Sequence, residues 1–523
     1  SVRGGWCARV TACLFLSRFR RPPRCTLFPY TTPFRSLGIS ADGRVATFAW
    51  TTARHLELYF APPCTGRVSH TLNLRLFPEQ LTYIVNHGED EVIFLDHSVA
   101  GLIWPLMETF QTVRHVVLMD DGAPAPDGDA ISQEVHDYED LLGAASPVDW
   151  TTFEENRAGS MMYTSGTTGN PKGVKLSNRN VSSNIGAVNE LFHITEKDVI
   201  LGVLPFFHSF GYTGTLWLTM SLEASSVYHF NPLDSRTVGT LSDEHDVSII
   251  LATPTFLRSY MRRCTPEQMH HLDLVIVGAE KLPKDLAEQF KEKFGVEPTE
   301  GYGTTELSPV ASMNVPDHRA SEGADPGTRL GTVGKVAPGS EIKVVDPDSR
   351  ADLGLDTEGL LVYRGPNVMM GYLNNEEATA EKIRDGWYDT GDMGVIDEEG
   401  FITITGRMSR FSKIGGEMVP HIKIEQELER LIEGEDEDPM IQVAVTAVPD
   451  ARKGERLIVL HRPLGDKTID GLLQSLSDLG LPNIWIPSSD SFLEVEEIPL
   501  LGTGKMDLKA VQQEATDNFT EGE

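Results

Sequence analysis

Cysteine is scarce in this chain: five residues in 523, at positions 7, 13, 25, 64 and 264. Their spacing suits neither a zinc site nor a disulfide framework, so the thiols read as buried or incidental groups in a reducing compartment. Long apolar runs are missing as well. None approaches the ~18–20 residues that cross a bilayer, so no transmembrane span is expected. Positive charge is in deficit, with 45 Lys and Arg against 77 Asp and Glu and a net charge of −32. That balance disfavours nonspecific binding of nucleic acid or anionic membrane by the bulk surface, though it leaves room for a local basic patch. Repeats and low-complexity tracts are absent. What is present, 40% hydrophobic and 23% charged residues, is the composition of a globular protein, and the length allows more than one domain.

The first 36 residues differ from the rest. They hold seven Arg and no Lys, Asp or Glu. The apolar run Val10-Thr-Ala-Cys-Leu-Phe-Leu16 is short and is followed by more Arg rather than a small-residue cleavage site, which argues against a secretory signal. Residues 26–36 (Thr-Leu-Phe-Pro-Tyr-Thr-Thr-Pro-Phe-Arg-Ser) resemble the translation of a sequencing adapter. Residues 1–36 are therefore expected to be an artefact or non-native leader.

From residue 37 strands and helices alternate. Residues 249–254 (Ile-Ile-Leu-Ala-Thr-Pro) and 272–278 (Leu-Asp-Leu-Val-Ile-Val-Gly) read as buried strands of an α/β sheet. Residues 283–294 read as a helix, with Leu286, Phe290 and Phe294 on one face and Gly295 as its stop. Residues 341–346, 359–364 and 394–407 read as antiparallel β, with a turn at 397–400. Helical pattern resumes at 424–432, and the acidic stretch 433–438 reads as a solvated loop. The expected fold is α/β: a large N-terminal region of several subdomains with parallel-type sheets (37–406), then a small α+β C-terminal domain (407–523), joined near 407–411.

The string Tyr163-Thr-Ser-Gly-Thr-Thr-Gly-Asn-Pro-Lys-Gly173 carries most of the functional argument. Its glycines let backbone N–H groups approach an oxyanion, its hydroxyls donate further bonds, and Lys172 adds charge. A Walker loop is excluded, since G-x-x-x-x-G-K-[ST] does not occur here. By composition alone a mobile Gly/Ser/Thr surface loop is the favoured reading.

This string closely resembles the signature loop of the adenylate-forming superfamily: acyl-CoA synthetases, amino-acid adenylation domains and beetle luciferases. Further matches follow in order. Gly301-Tyr-Gly-Thr-Thr-Glu306 resembles the adenine and magnesium motif, and Tyr388-Asp-Thr-Gly-Asp392 the ribose motif. Gly406-Arg407 resembles the hinge opening, and Gly502-Thr-Gly-Lys505 the C-terminal lysine motif. The resemblance implies ATP and Mg2+ as cofactors and an acyl-AMP intermediate. It implies that Thr164, Ser165, Thr167, Thr168 and Lys172, with Gly166 and Gly169, hold the phosphates. Tyr302 would stack on adenine, Thr305 meet the α-phosphate, and Gly278, Gly303 and Thr304 complete the nucleotide site. Glu306 would bind magnesium, Asp392 the ribose, and Arg407 ribose or phosphate. Lys505 would reach the reacting carboxylate and α-phosphate. The small domain would rotate between half-reactions and present a strand near Gly415-Gly416-Glu417 to the thiol, although a tight turn also fits that string. Arg410 departs from the Asp or Lys that many relatives carry at the hinge.

Amino-acid-activating relatives pair the substrate amine with an acidic residue where this chain has Phe207, so an amine would lack a partner and a fatty acid is expected. Phe206, Phe207, Phe210 and Trp217 fit either an acyl tunnel or a plain core, and His208 either an acyl-pocket gate or a structural His. Val277-Gly-Ala-Glu-Lys-Leu-Pro283 and Arg410-Phe-Ser-Lys-Ile-Gly-Gly-Glu-Met-Val-Pro420 carry a second likeness: from about residue 175 the chain resembles the acyl-acyl carrier protein synthetase half of 2-acylglycerophosphoethanolamine acyltransferase. Ala46-Thr-Phe-Ala-Trp50, His55-Leu-Glu-Leu-Tyr-Phe60 and Thr71-Leu-Asn-Leu-Arg75 in its earlier part resemble medium-chain acyl-CoA ligases, which places an expected junction near 164–174, and the opening helices of the large domain are expected to be missing. The thiol is thus coenzyme A or the phosphopantetheine of acyl carrier protein, with the carrier protein slightly favoured. Arg258, Arg262 and Arg263 offer it a landing site or form a solvated helix face. A cytoplasmic enzyme is expected, with peripheral membrane contact left open. The competing classes are an inactive nucleotide- or acyl-binding fragment and a light-emitting relative.

Overall fold

The computed structural model describes residues 6–8, 34, 36–144, 155–164, 170–415, 417–432, 441–450, 452–500 and 506–519, with backbone alone at 6–8 and 129. Among these residues the strands form two eight-stranded sheets, a five-stranded sheet and two small C-terminal sheets. The first large sheet has the parallel run Ser225–Tyr228, Val199–Gly202, Ile249–Ala252, Leu274–Val277 and Thr299–Gly303 at its centre. Ile249–Ala252 and Leu274–Val277 are buried along their whole length, as strands covered on both faces must be. The helix Lys284–Phe294 buries Leu286, Phe290 and Phe294, and Gly295 ends it at φ 80°, a left-handed conformation that glycine adopts without a Cβ clash.

The second large sheet runs Gly371–Tyr372, Lys172–Ser177, Ala158–Thr164, Val68–Thr71, Arg44–Phe48, Asp90–Asp96, His115–Met119 and Glu134–Asp137. The helix Asn178–Leu191 joins the two large sheets. It starts at a capping box in which the Ser177 hydroxyl accepts from the Asn180 backbone N–H and the Asn180 side chain accepts from that of Ser177. Its Val181, Ile185 and Val188 share one core with Met162, Val174 and Leu176 of the second sheet and Ile200, Leu251 and Ile276 of the first. The same core takes in Tyr363 and Tyr388 of the five-stranded sheet, so three sheets meet at one place.

Beyond the strand Ile402–Arg407 the packing starts afresh. Ile414, Val419, Ile424, Leu428, Val443, Val445, Leu457 and Val459 form a separate core in a small α+β C-terminal region. The acidic stretch 433–438 lies outside the described residues. No helix among those described is long and apolar enough to cross a membrane.

Packing reaches further toward the N-terminus than the expected boundary at residue 37. Phe34 is buried beside Phe94, their ring centroids 5.9 Å apart, with the Arg67 guanidinium over its ring. The backbone of Trp6–Ala8 pairs with Ser226–Tyr228.

Candidate active site

The two ends of the string at 163–173 lie on paired strands. Ala158–Thr164 and Lys172–Ser177 pair antiparallel, with Thr164 opposite Lys172. Ser165, Gly166, Thr167, Thr168 and Gly169 lie outside the described residues, as does Lys505. The register nonetheless fixes where the loop leaves and returns. Lys172 stands over the ring of Tyr372, its Nζ 5.3 Å from the centroid.

Tyr372 leads to the second motif. Its hydroxyl donates to Glu306 Oε1 at 2.9 Å, the one hydrogen bond of that carboxylate among the described residues. Burial first, and then the Glu306 charge, push the Tyr372 phenol well above its ordinary range, so it stays a donor. Glu306 sits on a single 3-10 turn, Thr305–Leu307, just after the strand Thr299–Gly303. At Gly303 a Cβ would lie 1.8 Å from the Pro309 carbonyl oxygen, so only glycine lets the chain turn this tightly.

That turn is held from behind by buried amides. Asn367 Nδ2 donates to the carbonyls of Leu307 (2.8 Å) and Val310 (3.0 Å), and Asn184 Nδ2 to Val310 (2.8 Å). The Thr213 hydroxyl, on the π-helical turn Tyr212–Trp217, donates to the Ser308 carbonyl at 2.9 Å. In front, Thr305 Oγ1 lies 3.2 Å from Ser209 Oγ, and the Thr304 hydroxyl is buried with no hydrogen-bond partner among the described residues. Gly278 adjoins the same strand: a Cβ there would meet the Phe210 ring at 3.4 Å and the Gly301 carbonyl at 3.5 Å.

The third motif arrives on the strand Trp387–Ile396. Asp392 is 3% exposed. It accepts from the Tyr302 hydroxyl at 2.5 Å and faces Arg407 Nε at 3.2 Å, its register partner on the next strand. Burial pushes the Asp392 carboxyl above its ordinary range, while Arg407 and Tyr302 oppose that shift. The Arg407 side chain is 58% exposed, so its guanidinium still faces solvent. The contact from Tyr302 to Asp392 adds a role to the expected adenine stacking.

The structure thus gathers Lys172, Tyr302, Gly303, Thr304, Thr305, Glu306, Asp392 and Arg407, with Thr164 and Gly278 at the margins. His208 is exposed at the N-terminus of the short helix Ser209–Gly211, its Nδ1 accepting from the Phe210 N–H at 3.3 Å. Phe206 is a core residue, packed edge-on against Tyr59 and Tyr228. Phe210 and Trp217 border the same core, and Phe207 borders the neighbouring one. Gly415 turns between the paired strands Phe411–Ile414 and Glu417–Pro420, a hairpin. Arg258, Arg262 and Arg263 are exposed on the helix Pro254–Arg263. Sequence reasoning missed Tyr372, Ser209, Asn184 and Asn367. Ser209 adjoins His208 in a string already singled out, whereas Tyr372, Asn184 and Asn367 stand in no chemically suggestive string.

Three sheets converging on the hairpin that carries Lys172, a lone carboxylate and a buried Asp paired with an exposed Arg make up the architecture of the adenylate-forming superfamily. Residues 33–373 match the AMP-binding enzyme family, and the chain belongs to it. It is 34% identical to a long-chain-fatty-acid–CoA ligase of Thermus thermophilus, over 93% of this chain and 88% of that protein. It is 32% identical to a 3-methylmercaptopropionyl-CoA ligase of Ruegeria lacuscaerulensis, over 92% and 89%. Among solved structures, ATP-bound MatB from Rhodopseudomonas palustris overlaps with a TM-score of 0.78 at 26% identity, over 94% of this chain and 92% of that one. At such coverage the likeness runs through residues 164–174, on both sides of the expected junction.

Proposed function

We propose that the protein is a fatty-acid–coenzyme A ligase working through an acyl-adenylate. In the first half-reaction a carboxylate oxygen attacks the α-phosphate of ATP, forming the P–O bond of the acyl-AMP as the bond to pyrophosphate breaks. In the second, a thiolate attacks the acyl carbon and AMP leaves. The observation that carries this reading is the meeting of Glu306, Tyr372 and Lys172 beside the Tyr302–Asp392–Arg407 cluster.

Charge grows on the α-phosphate as it is attacked, so catalysis needs fixed donors more than covalent chemistry. Thr164, Lys172 and the loop residues Ser165–Gly169 would grip the phosphates, and Thr305 would donate to the α-phosphate. Asp392 is buried, negative and already set by two donors, which suits it to accept from ribose hydroxyls. Arg407, exposed, would bridge ribose and phosphate, and Tyr302, Gly303, Thr304 and Gly278 would bound the base. Glu306 offers a hard carboxylate oxygen with a single hydrogen-bond partner among the described residues, which fits Mg2+; bound there, the ion would neutralise phosphate charge. Lys505 would reach the reacting oxygens when the domain from residue 407 closes, and that domain would rotate for thiol transfer. His208 would border the acyl entrance.

The similarity to a long-chain-fatty-acid–CoA ligase and a 3-methylmercaptopropionyl-CoA ligase supports coenzyme A over acyl carrier protein as the acceptor. The test supplies the full chain with ATP, Mg2+ and fatty acids of graded length, then coenzyme A or acyl carrier protein separately. Pyrophosphate release with a fatty acid and thioester on coenzyme A is expected. Thioester on the carrier protein alone would reverse the acceptor, and no pyrophosphate with any acid would leave a binding protein.

A further inference from the structure

At the edge of the second large sheet, away from the nucleotide site, two imidazoles and a carboxylate converge. His115 opens the strand His115–Met119. Glu134 and His136 lie on the last strand, Glu134–Asp137. The two strands run parallel, His115 opposite Glu134 and Val117 opposite His136. Side chains alternate between the faces of a sheet. Val116, Leu118 and Val135 join the core on one face, which leaves His115, Glu134 and His136 together on the other.

Their ligand atoms already have the spacing of a metal's coordination shell. His115 Nδ1 is 3.2 Å from His136 Nε2 and 3.4 Å from Glu134 Oε2, and His136 Nε2 is 3.8 Å from the same oxygen. Three atoms so placed share a central point about 2 Å from each, which is the Zn–N and Zn–O bond length. His115 is nearly buried, His136 partly, and Glu134 exposed, so the cluster has a fixed floor and a side open to solvent.

We propose that His115, Glu134 and His136 bind one divalent transition metal of the zinc class, with a fourth position open to water. Two imidazoles select zinc-like ions over magnesium or calcium, which prefer oxygen. The three ligands come from two neighbouring strands, so the ion would clip the last described strand of the sheet to its neighbour.

The test uses the full chain without a histidine tag, stripped by chelator and dialysed against Zn2+, with Co2+ as the spectroscopic probe. Wild type is expected to bind one Zn2+ more per chain than the His115→Asn/His136→Asn double variant, and to give the visible absorption of four-coordinate Co2+ that the variant lacks. Glu134→Gln, at an exposed position that cannot disturb the core, should weaken Zn2+ binding by about tenfold or more. Circular dichroism and pyrophosphate release confirm that each variant is folded. Equal stoichiometry and equal Co2+ spectra in wild type and a folded double variant overturn the site. So does a Zn2+ affinity that Glu134→Gln leaves unchanged.

Discussion

Tyr302 and Asp392 are 90 residues apart in the chain, yet the Tyr302 hydroxyl donates to Asp392 Oδ2 at 2.5 Å. One ends a strand of the first large sheet, and the other lies mid-strand in the five-stranded sheet. The bond ties residues 301–306 to residues 388–392, and Arg407 faces the same carboxylate from the adjoining strand. Asp392→Asn keeps the shape of the side chain and removes its charge. A hydrogen bond to a charged group contributes about 1.5–3 kcal/mol, so the ATP KM in pyrophosphate exchange should rise by about 10- to 100-fold. Tyr302→Phe should do less, because Arg407 still faces the carboxylate. An unchanged ATP KM in Asp392→Asn refutes the ribose role.

Glu306 is braced by Tyr372 alone among the described residues. In Glu306→Gln the Mg2+ concentration giving half-maximal adenylation should rise at least about tenfold, since a neutral amide is a poor ligand for a hard cation. Tyr372→Phe, which only frees the carboxylate to rotate, should shift it less. Titrating Mg2+ at fixed ATP reads both, and identical curves for wild type and Glu306→Gln would remove Glu306 from the metal site.

Lys505→Ala should lower adenylation by about 10²–10³-fold, the scale for losing one preorganised donor. Thioester formation from supplied acyl-AMP should fall much less. Equal losses in the two half-reactions would mean that Lys505 acts on folding or on both steps alike.

Arg410 is 6% exposed and ion-paired with Glu425, whose other oxygen accepts from the Val445 N–H at 2.6 Å. Arg410 is therefore anchored in the C-terminal region. Arg410→Ala leaves a buried carboxylate unpaired, at a cost of about 3–5 kcal/mol. Hydrogen exchange on Val443–Asp450 and Gly454–His461 should speed up accordingly, and adding Glu425→Gln should restore part of the protection. Unaltered exchange in Arg410→Ala would show the pair to be dispensable.

Burial pushes the Glu300 carboxyl up to about 7 from an ordinary 4.5. The folded state then holds this proton more tightly than the unfolded chain, so the group costs stability as pH rises from 4.5 to 7 and costs nothing below that window. Glu300→Gln should thus be more stable than wild type by about 3 kcal/mol near pH 8, with the difference vanishing near pH 4. Denaturant unfolding at the two pH values measures it. A pH-independent difference would mean that the carboxyl titrates normally.

Much of this protein can be read along the chain. The helix Lys284–Phe294 follows from three apolar residues at helical spacing and a glycine stop, and the fully apolar strands of the first sheet follow from β-branched runs. Such signals are local, because period and turn chemistry are properties of neighbouring residues. The ordered motifs belong here too, since each is a contiguous string.

Tertiary structure alone decided which strings meet and what supports them. Tyr372 reaches Glu306 across 66 residues, and Asn367 and Asn184 brace the same turn from 57 to 126 residues away. Which sheet faces pack together sets these contacts, and no local pattern encodes that choice. The same holds for Phe34, polar in its surroundings yet buried against Phe94, and for Arg410, a charged residue buried against Glu425. Sequence determined the chemistry available to the protein, because side chains and their local spacing are written in it. Folding determined where that chemistry is used, because burial and distance exist only once the three sheets have closed on one another.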